Sequence, residues 1–392
     1  LEKICTTQIR LFGEPAPMDR YLFMVQVVGD GYGGLEHRSS TSLLASRDDL
    51  PLASDEPGVV RDAYRTFLGL CSHEYFHSWN VKRIKPAAFV PYDLSREAYT
   101  PQLWMFEGFT SYYDDLVLVR AGVISPASYL ELLGQNLTRV LRTPGRHKQS
   151  VAESSFDAWT KFYRQDENAP NALVSYYAKG AVVALALDLE IRRATQGRCS
   201  LDDVMRLLWL RHGQTGLGVE DDGVQRIAEE VAGVGFDAFF AQAVYGTDDL
   251  ALDPLLAPLG IELRLRAADG QSDKGGKPGR DGRDRLSIGA RLGADAAGAK
   301  ILNCFDEGAA MRAGLSAGDV IVAVDGLRAT AANIDKLIAG RRAGELVEVH
   351  AFRRDELRLC RLVLASAPQD TCWLVFAGGE PSPAARRWLL AS

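Results

Sequence analysis

Two patterns of hydrophobic and polar positions alternate along the chain, and the switch between them marks its parts. Tyr21 to Val28 is an unbroken apolar, β-branched and aromatic run closed by Gly29-Asp30, which predicts a buried strand. A second strand is expected beyond Gly33-Gly34, running through Leu35-Glu36-His37 to Thr41-Ser42-Leu43. From Val59 to Trp79 the period changes. Ala63, Phe67, Leu70, Cys71 and Tyr75 recur at three- and four-residue steps, so this stretch reads as a helix. A loop rich in Lys, Pro and Tyr (Lys82 to Pro101) leads to a second helical stretch, Trp104 to Val119. Further helices are signalled by Ser125-Pro126 as cap and first residue, by Ala172 to Thr195, by the capping pattern at Ser200-Leu201-Asp202-Asp203, and by Phe236 to Val244.

Past Asp269 the pattern breaks. Asp269 to Asp284 has five Gly, one Pro and no apolar residue, a composition that predicts a flexible linker. Short strands follow at Lys300 to Asn303, Asp319 to Val324 and Leu346 to Phe352, with a helix at Ala332 to Ala339. The linker, taken as 267–284, therefore separates a mainly helical region before it from a small β-rich module after it. A length of 392 residues suits that division, since domains run to about 100–200 residues.

Composition narrows the function classes. The net charge of −6 leaves no basic stripe for nucleic acid, so peptides or proteins are the expected partners. The longest apolar stretch, Ala181 to Leu187, stops at Asp188, far short of the roughly 18 residues of a membrane span. Six scattered cysteines without a CxxC pair predict reduced, buried thiols rather than disulfides or a thiolate zinc site. The chain starts at Leu1 without an initiator Met or leader, so a processed or truncated product is expected, soluble in the cytoplasm or periplasm.

The chemistry concentrates in His73-Glu-Tyr-Phe-His77. On a helix, histidines four residues apart project from one face one turn apart, the spacing that lets two imidazoles share one zinc ion. Glu74 lies beside them, where a carboxylate can take a proton from an attacking water. A third ligand is needed. Glu107 is the first choice, because the apolar run Leu103-Trp104-Met105-Phe106 leads up to it and Gly108 leaves space beside it. Among the rival carboxylates of the polar loop, Glu97 ranks ahead of Asp93.

These residues resemble a known family. His73 to Asn80 (HEYFHSWN) followed by Leu103 to Tyr113 (LWMFEGFTSYY) is similar to the gluzincin zinc metallopeptidases, and in particular to the glycyl aminopeptidases that carry a PDZ module, relatives of aminopeptidase N. Gly33-Gly-Leu-Glu36-His37 resembles the Gly-x-Met-Glu-Asn motif of aminopeptidase N, Asn80 to Pro86 resembles the stretch after the second His, and Ser175 to Ala181 resembles the segment with the catalytic Tyr. The resemblance implies an α+β fold: a thermolysin-like zinc peptidase (catalytic) domain over 1–122, a mainly α-helical domain over 123–266 completing the site, and, after the linker, a C-terminal PDZ domain over 285–370 followed by a tail over 371–392. The family's N-terminal β domain is expected to be missing. It further implies one zinc per chain on His73, His77 and Glu107, Glu74 as general base, Glu36 as the carboxylate for the substrate's free α-amine, and Tyr177, rather than its neighbour Tyr176, as the hydroxyl that stabilises the oxyanion.

Glu307 to Gly326 (EGAAMRAGLSAGDVIVAVDG) resembles the PDZ signature; the candidate carboxylate-binding loop, Ser287-Ile288-Gly289-Ala290, matches the usual pattern poorly, so a structural or substrate-orienting role stands equally beside ligand binding. The implied function is removal of small N-terminal residues, Gly or Ala, from peptides with a free N-terminus. A PDZ-assisted endopeptidase and a non-catalytic PDZ adaptor are the alternatives, and a peptide or protein ligand at the PDZ module is a possible partner.

Overall fold

The computed structural model describes residues 1–56, 58–280 and 285–390. Helix α1 (Glu2–Phe12) leads to strands β1 (Leu22–Val28), β2 (Tyr32–Glu36) and β3 (Ser40–Ser46), then to α2 (Asp62–Phe76) and α3 (Leu103–Arg120). The chain continues through α4 (Pro126–Leu141), α5 (Val151–Phe156), α6 (Ala169–Ala172), α7 (Ala178–Ala194), α8 (Leu201–Leu208), α9 (Gly223–Ala232), α10 (Asp237–Ala243) and α11 (Asp253–Leu256). The two predicted caps are made: Ser125 Oγ accepts from Ser128 N–H, and Ser200 and Asp203 form a capping box.

Strand β3 is central, parallel to β1 and antiparallel to β2, with Glu36 opposite Thr41. The second predicted strand is thus two strands, turned at His37–Ser39, where the His37 N–H donates to the Ser40 carbonyl. Nor is β1 buried as its composition suggests. It is an edge strand, and Leu22 and Met24 are each 43% exposed. An apolar run records β-propensity, but burial depends on what covers the strand.

Helix α2 lies between this sheet and the helices. Its Phe67, Leu70 and Cys71 pack with Leu43 and Ala45 of β3, while Leu68, Tyr75 and Phe76 join the main core. That core runs from Ile4 of α1 through α3, α4 and α7 to Leu256 without a break at residue 122, so the expected catalytic and helical domains share one interior. Helices α3 and α7 are apolar almost all round because they run through its middle. The helix expected from Ala172 begins only at Ala178, because Leu173 is extended at the end of α6.

After α11 comes β4 (Ile261–Arg266), and then a separate module with its own core. It contains β5 (Leu286–Ser287), β6 (Ala290–Ala294), β7 (Ala299–Cys304), α12 (Ala309–Arg312), β8 (Val320–Val324), β9 (Leu327–Arg328), α13 (Ile334–Ile338), β10 (Leu346–Arg353), β11 (Glu356–Val363) and β12 (Ala365–Ser366). The sheet order is β11-β10-β8-β7-β6, with β9 on β8. The chain then returns to the helical body as β13 (Thr371–Phe376) and α14 (Pro383–Leu389).

Two expectations change here. Residues 371–390 are not a tail: β13 pairs with β4 in register Thr371↔Arg266 to Phe376↔Ile261, and Trp388 is fully buried with its Nε1–H donated to Tyr112 Oη at 2.9 Å. The module is therefore inserted between two strands of one ribbon. The glycine-rich stretch is also held through Arg280, while residues 281–284 of the expected linker lie outside the described residues. Asp273 pairs with Arg266 at 2.6 Å, and Gly276 N–H donates to the Cys372 carbonyl at 2.8 Å. Here the glycines permit close approach: a Cβ on Gly276 would fall 2.4 Å from the Glu131 carbonyl oxygen of α4. All six cysteines are unpaired.

Candidate metal centre and cleft

His73 and Glu74 occupy the last turn of α2, and His77 caps that helix with φ −60° and ψ −16°, so the helical spacing survives through the third residue. Helix α3 crosses behind and brings Glu107 to both rings. Its Oε2 is 3.3 Å from His73 Nε2 and 3.3 Å from His77 Nε2, and the three ligand atoms lie within 4.8 Å of one another. The rivals Asp93 and Glu97 stay on the exposed loop.

Both imidazoles are held by their other nitrogen. His73 Nδ1–H donates to Asp114 Oδ2 at 3.0 Å, and His77 Nδ1–H to the Asn80 carbonyl at 2.8 Å, which leaves each Nε2 toward Glu107. Asp114 was not singled out from the sequence, although it follows Glu107 by two helical turns on the same face of α3. The donor set of two Nε2 atoms and one carboxylate, each oriented from behind, fits a zinc ion with a position to spare.

Charge follows from this packing. Burial works against charged forms, but the His77 and His73 rings outweigh it at Glu107 and hold its carboxyl well below the usual range. The same contacts, with Asp114, raise His73 well above its ordinary value against burial. Glu74 moves the other way. Burial raises its carboxyl above the ordinary 4.5, partly countered by the two histidines, and its Oε2 is buried without a hydrogen-bond partner.

Strand β2 runs across Glu74. A Cβ on Gly34 would fall 2.2 Å from Glu74 Oε1, so only glycine leaves the carboxylate where it is. Two residues on, Glu36 is close enough for its charge to act on Glu74 and His77, and it is ion-paired with Lys82 at 3.0 Å, a partner that sequence reading missed. Tyr177 stands at the start of α7, with its ring centroid 6.3 Å from that of His73. Its hydroxyl is 3.1 Å from that of Tyr163, also missed, which in turn accepts from Tyr176 Oη–H at 3.2 Å. Tyr176 is buried, whereas Tyr177 borders the cleft. Burial first, and Glu107 second, keep the Tyr177 hydroxyl protonated far above its ordinary value. The structure thus gathers His73, Glu74, His77, Glu107, Glu36 and Tyr177 at one cleft.

Residues 66–183 match the M61 glycyl aminopeptidase family. Across 99% of its length the chain is similar, at 44% identity and a TM-score of 0.93, to a crystal structure of an aminopeptidase N family protein from Idiomarina loihiensis. It spans 65% of that protein's length. Slighter likenesses, each over 22% of this chain, are to an HtrA-type protease with a decapeptide (21% identity, 30% of that chain, TM-score 0.21) and to a serine endoprotease from Yersinia pestis (23%, 32%, 0.20). No curated protein matches. Among the described residues, no helix is long and apolar enough to cross a membrane.

Proposed function

We propose that this chain is a zinc-dependent aminopeptidase that removes small N-terminal residues from peptides. The observation that carries the reading is the convergence of His73, His77 and Glu107 beside a buried carboxylate, Glu74, that has an unpartnered oxygen. A zinc ion on these three residues would supply Lewis acidity to a water and to the peptide carbonyl. Glu74 takes the proton of the attacking water, a task helped by the burial that raises its carboxyl pKa. Tyr177 donates its hydroxyl to the carbonyl oxygen as negative charge develops, with Tyr163 behind it. Glu36 on β2 receives the α-ammonium and thereby limits cleavage to the first residue.

One observation favours a second reading, an endopeptidase. Glu36 is already ion-paired with Lys82, so an incoming ammonium has to displace that contact. The C-terminal module, read as a PDZ domain, would then present unfolded chains, although its edge strand β6 has the Leu292 N–H donated to Gln271 Oε1 of this chain at 2.8 Å.

The test is hydrolysis by zinc-loaded protein of glycyl and alanyl amides, of the same amides N-acetylated, and of blocked longer peptides. An aminopeptidase cleaves only the free amines, and cleavage of blocked peptides alone selects the endopeptidase. Glu74→Gln is expected to lower kcat by about 10²–10⁴ with metal content unchanged. Hydrolysis surviving that substitution removes Glu74 as base, and no hydrolysis by the wild type leaves only a binding role.

A further inference from the structure

Beside the cleft lies a second, positively charged cavity. Lys82-Arg83-Ile84-Lys85 follows His77, and while Ile84 is buried in the core, the three flanking cations are only partly covered. With Arg38 from the turn between β2 and β3, and with Phe89 and Tyr92, they line a cavity of about 210 Å³.

Its walls are fixed. The Arg83 guanidinium donates to the carbonyls of Ser78 (2.7 Å), Pro17 (2.8 Å) and Arg38 (3.0 Å), which ties the loop to the turn that follows Glu36. The backbone of Lys85 and Ala87 is clamped on Val219, with Val219 N–H to the Lys85 carbonyl at 2.7 Å and Ala87 N–H to the Val219 carbonyl at 2.8 Å. Lys85 Nζ stands 4.4 Å from the Tyr92 ring centroid. The backbone of the recess is thus preorganised, while the Arg38 side chain is exposed at its rim.

Its charge is only partly compensated. Among the described residues, the one ion pair in this group is Lys82 with Glu36. Burial, and then the like charges of Arg38, Lys82 and Arg83, depress the Lys85 ammonium below its ordinary value. Such crowding in a chain of net charge −6 is relieved by an anion, and Arg83, with its donors committed to carbonyls, contributes charge while its neighbours keep donors free. The cavity adjoins the metal-ligand helix, because the Lys82 N–H donates to the His77 carbonyl at 3.0 Å. Lys82 also reaches Glu36 of the cleft, so an anion here would lie beside the residue proposed to hold the substrate amine.

We propose that this cavity is a carboxylate-binding subsite of the peptidase cleft, in which Lys85, Arg38 and Lys82 recognise a carboxylate carried by the substrate. The proposal rests on the peptidase reading above. Two sources share the chemistry: the free C-terminal carboxylate of a short peptide, and the side chain of an Asp or Glu that follows the small N-terminal residue. A carboxylate drawn to Lys82 also frees Glu36 for the ammonium, so the two contacts assist each other.

The experiment compares kcat/KM of the zinc-loaded full chain on Gly-Ala and Gly-Ala-Ala with their C-terminal amides, and on Gly-Asp amide and Gly-Glu amide with Gly-Ala amide. The wild type is expected to favour the carboxylate in one of the two arms by at least about ten-fold, through KM, with the preference shrinking as salt rises. Lys85→Gln and Arg38→Gln should each bring that ratio toward one, and Lys85→Glu should invert it. A wild-type ratio near one in both arms, with the amides still cleaved, overturns the subsite and leaves the peptidase intact. So does a preference that both Lys85 variants retain. If no peptide or amide is cleaved, the peptidase reading falls and the subsite with it.

Discussion

Gly108 and Gly180 meet backbone to backbone where α3 crosses α7: a methyl added at Gly108 would fall 2.5 Å from the Gly180 Cα, and one at Gly180 would fall 2.7 Å from the Trp104 carbonyl oxygen. Glu107 precedes the first glycine and Tyr177 lies three residues before the second. This crossing therefore sets how near the candidate ligand and the candidate oxyanion donor can come.

Gly108→Ala is accordingly expected to prise the two helices apart. Overpacking of this kind costs about 1–3 kcal/mol of stability, read from urea unfolding, and kcat should fall about ten-fold or more from misplacement at the cleft. A variant that unfolds earlier but keeps full kcat would show that Tyr177 is positioned by other contacts.

Asp114 orients His73 from behind at 3.0 Å. Asp114→Asn is expected to weaken zinc binding by about 10–100-fold, measured by competition with a chelator. Unchanged affinity would mean that the ring is held by packing alone.

The pH dependence of stability has a distinct source. Asp202 accepts from Arg120 Nη1–H at 3.0 Å and from Tyr113 Oη–H at 2.7 Å. Burial opposes its charge, but Arg120 and these bonds prevail and hold the carboxyl below its ordinary 3.8. A depressed carboxyl stabilises the fold fully above 3.8, and the contribution is lost as pH falls further, through the native value. Asp202→Asn should thus cost roughly 3 kcal/mol near neutrality, with the gap to wild type constant down to about pH 4 and narrowing only below it. A gap that closes between pH 7 and 5 would assign the effect to another group.

Trp388 fills the core beneath α3 from the far end of the chain. Trp388→Ala is expected to cost about 3–5 kcal/mol, visible as a lowered unfolding midpoint and reduced activity, although the residue lies on the last helix of the chain. A midpoint near that of the wild type would mean that α14 is a dispensable appendage.

What the sequence by itself determined is what depends on near neighbours. The helical step joining His73, Glu74 and His77 rests on a four-residue spacing, the choice of Glu107 on the contiguous apolar run before it, and the caps at Ser125 and Ser200 on polar residues at a helix start, all set by local backbone geometry. Tertiary structure alone decided the rest. Lys82 as partner of Glu36, and Tyr163 behind Tyr177, come from segments with no shared periodicity. Strand β1 is apolar yet exposed, because burial depends on what packs across it. The glycine-rich stretch is seated through residue 280, because glycines lie close to α4 where larger side chains would clash. Residues 371–390 carry no local sign that they complete a ribbon begun at Ile261, since strand pairing across so long an interval leaves no mark in either segment. Which distant surfaces meet is a property of the whole packed chain, and it is this that turns a two-histidine helix into a cleft.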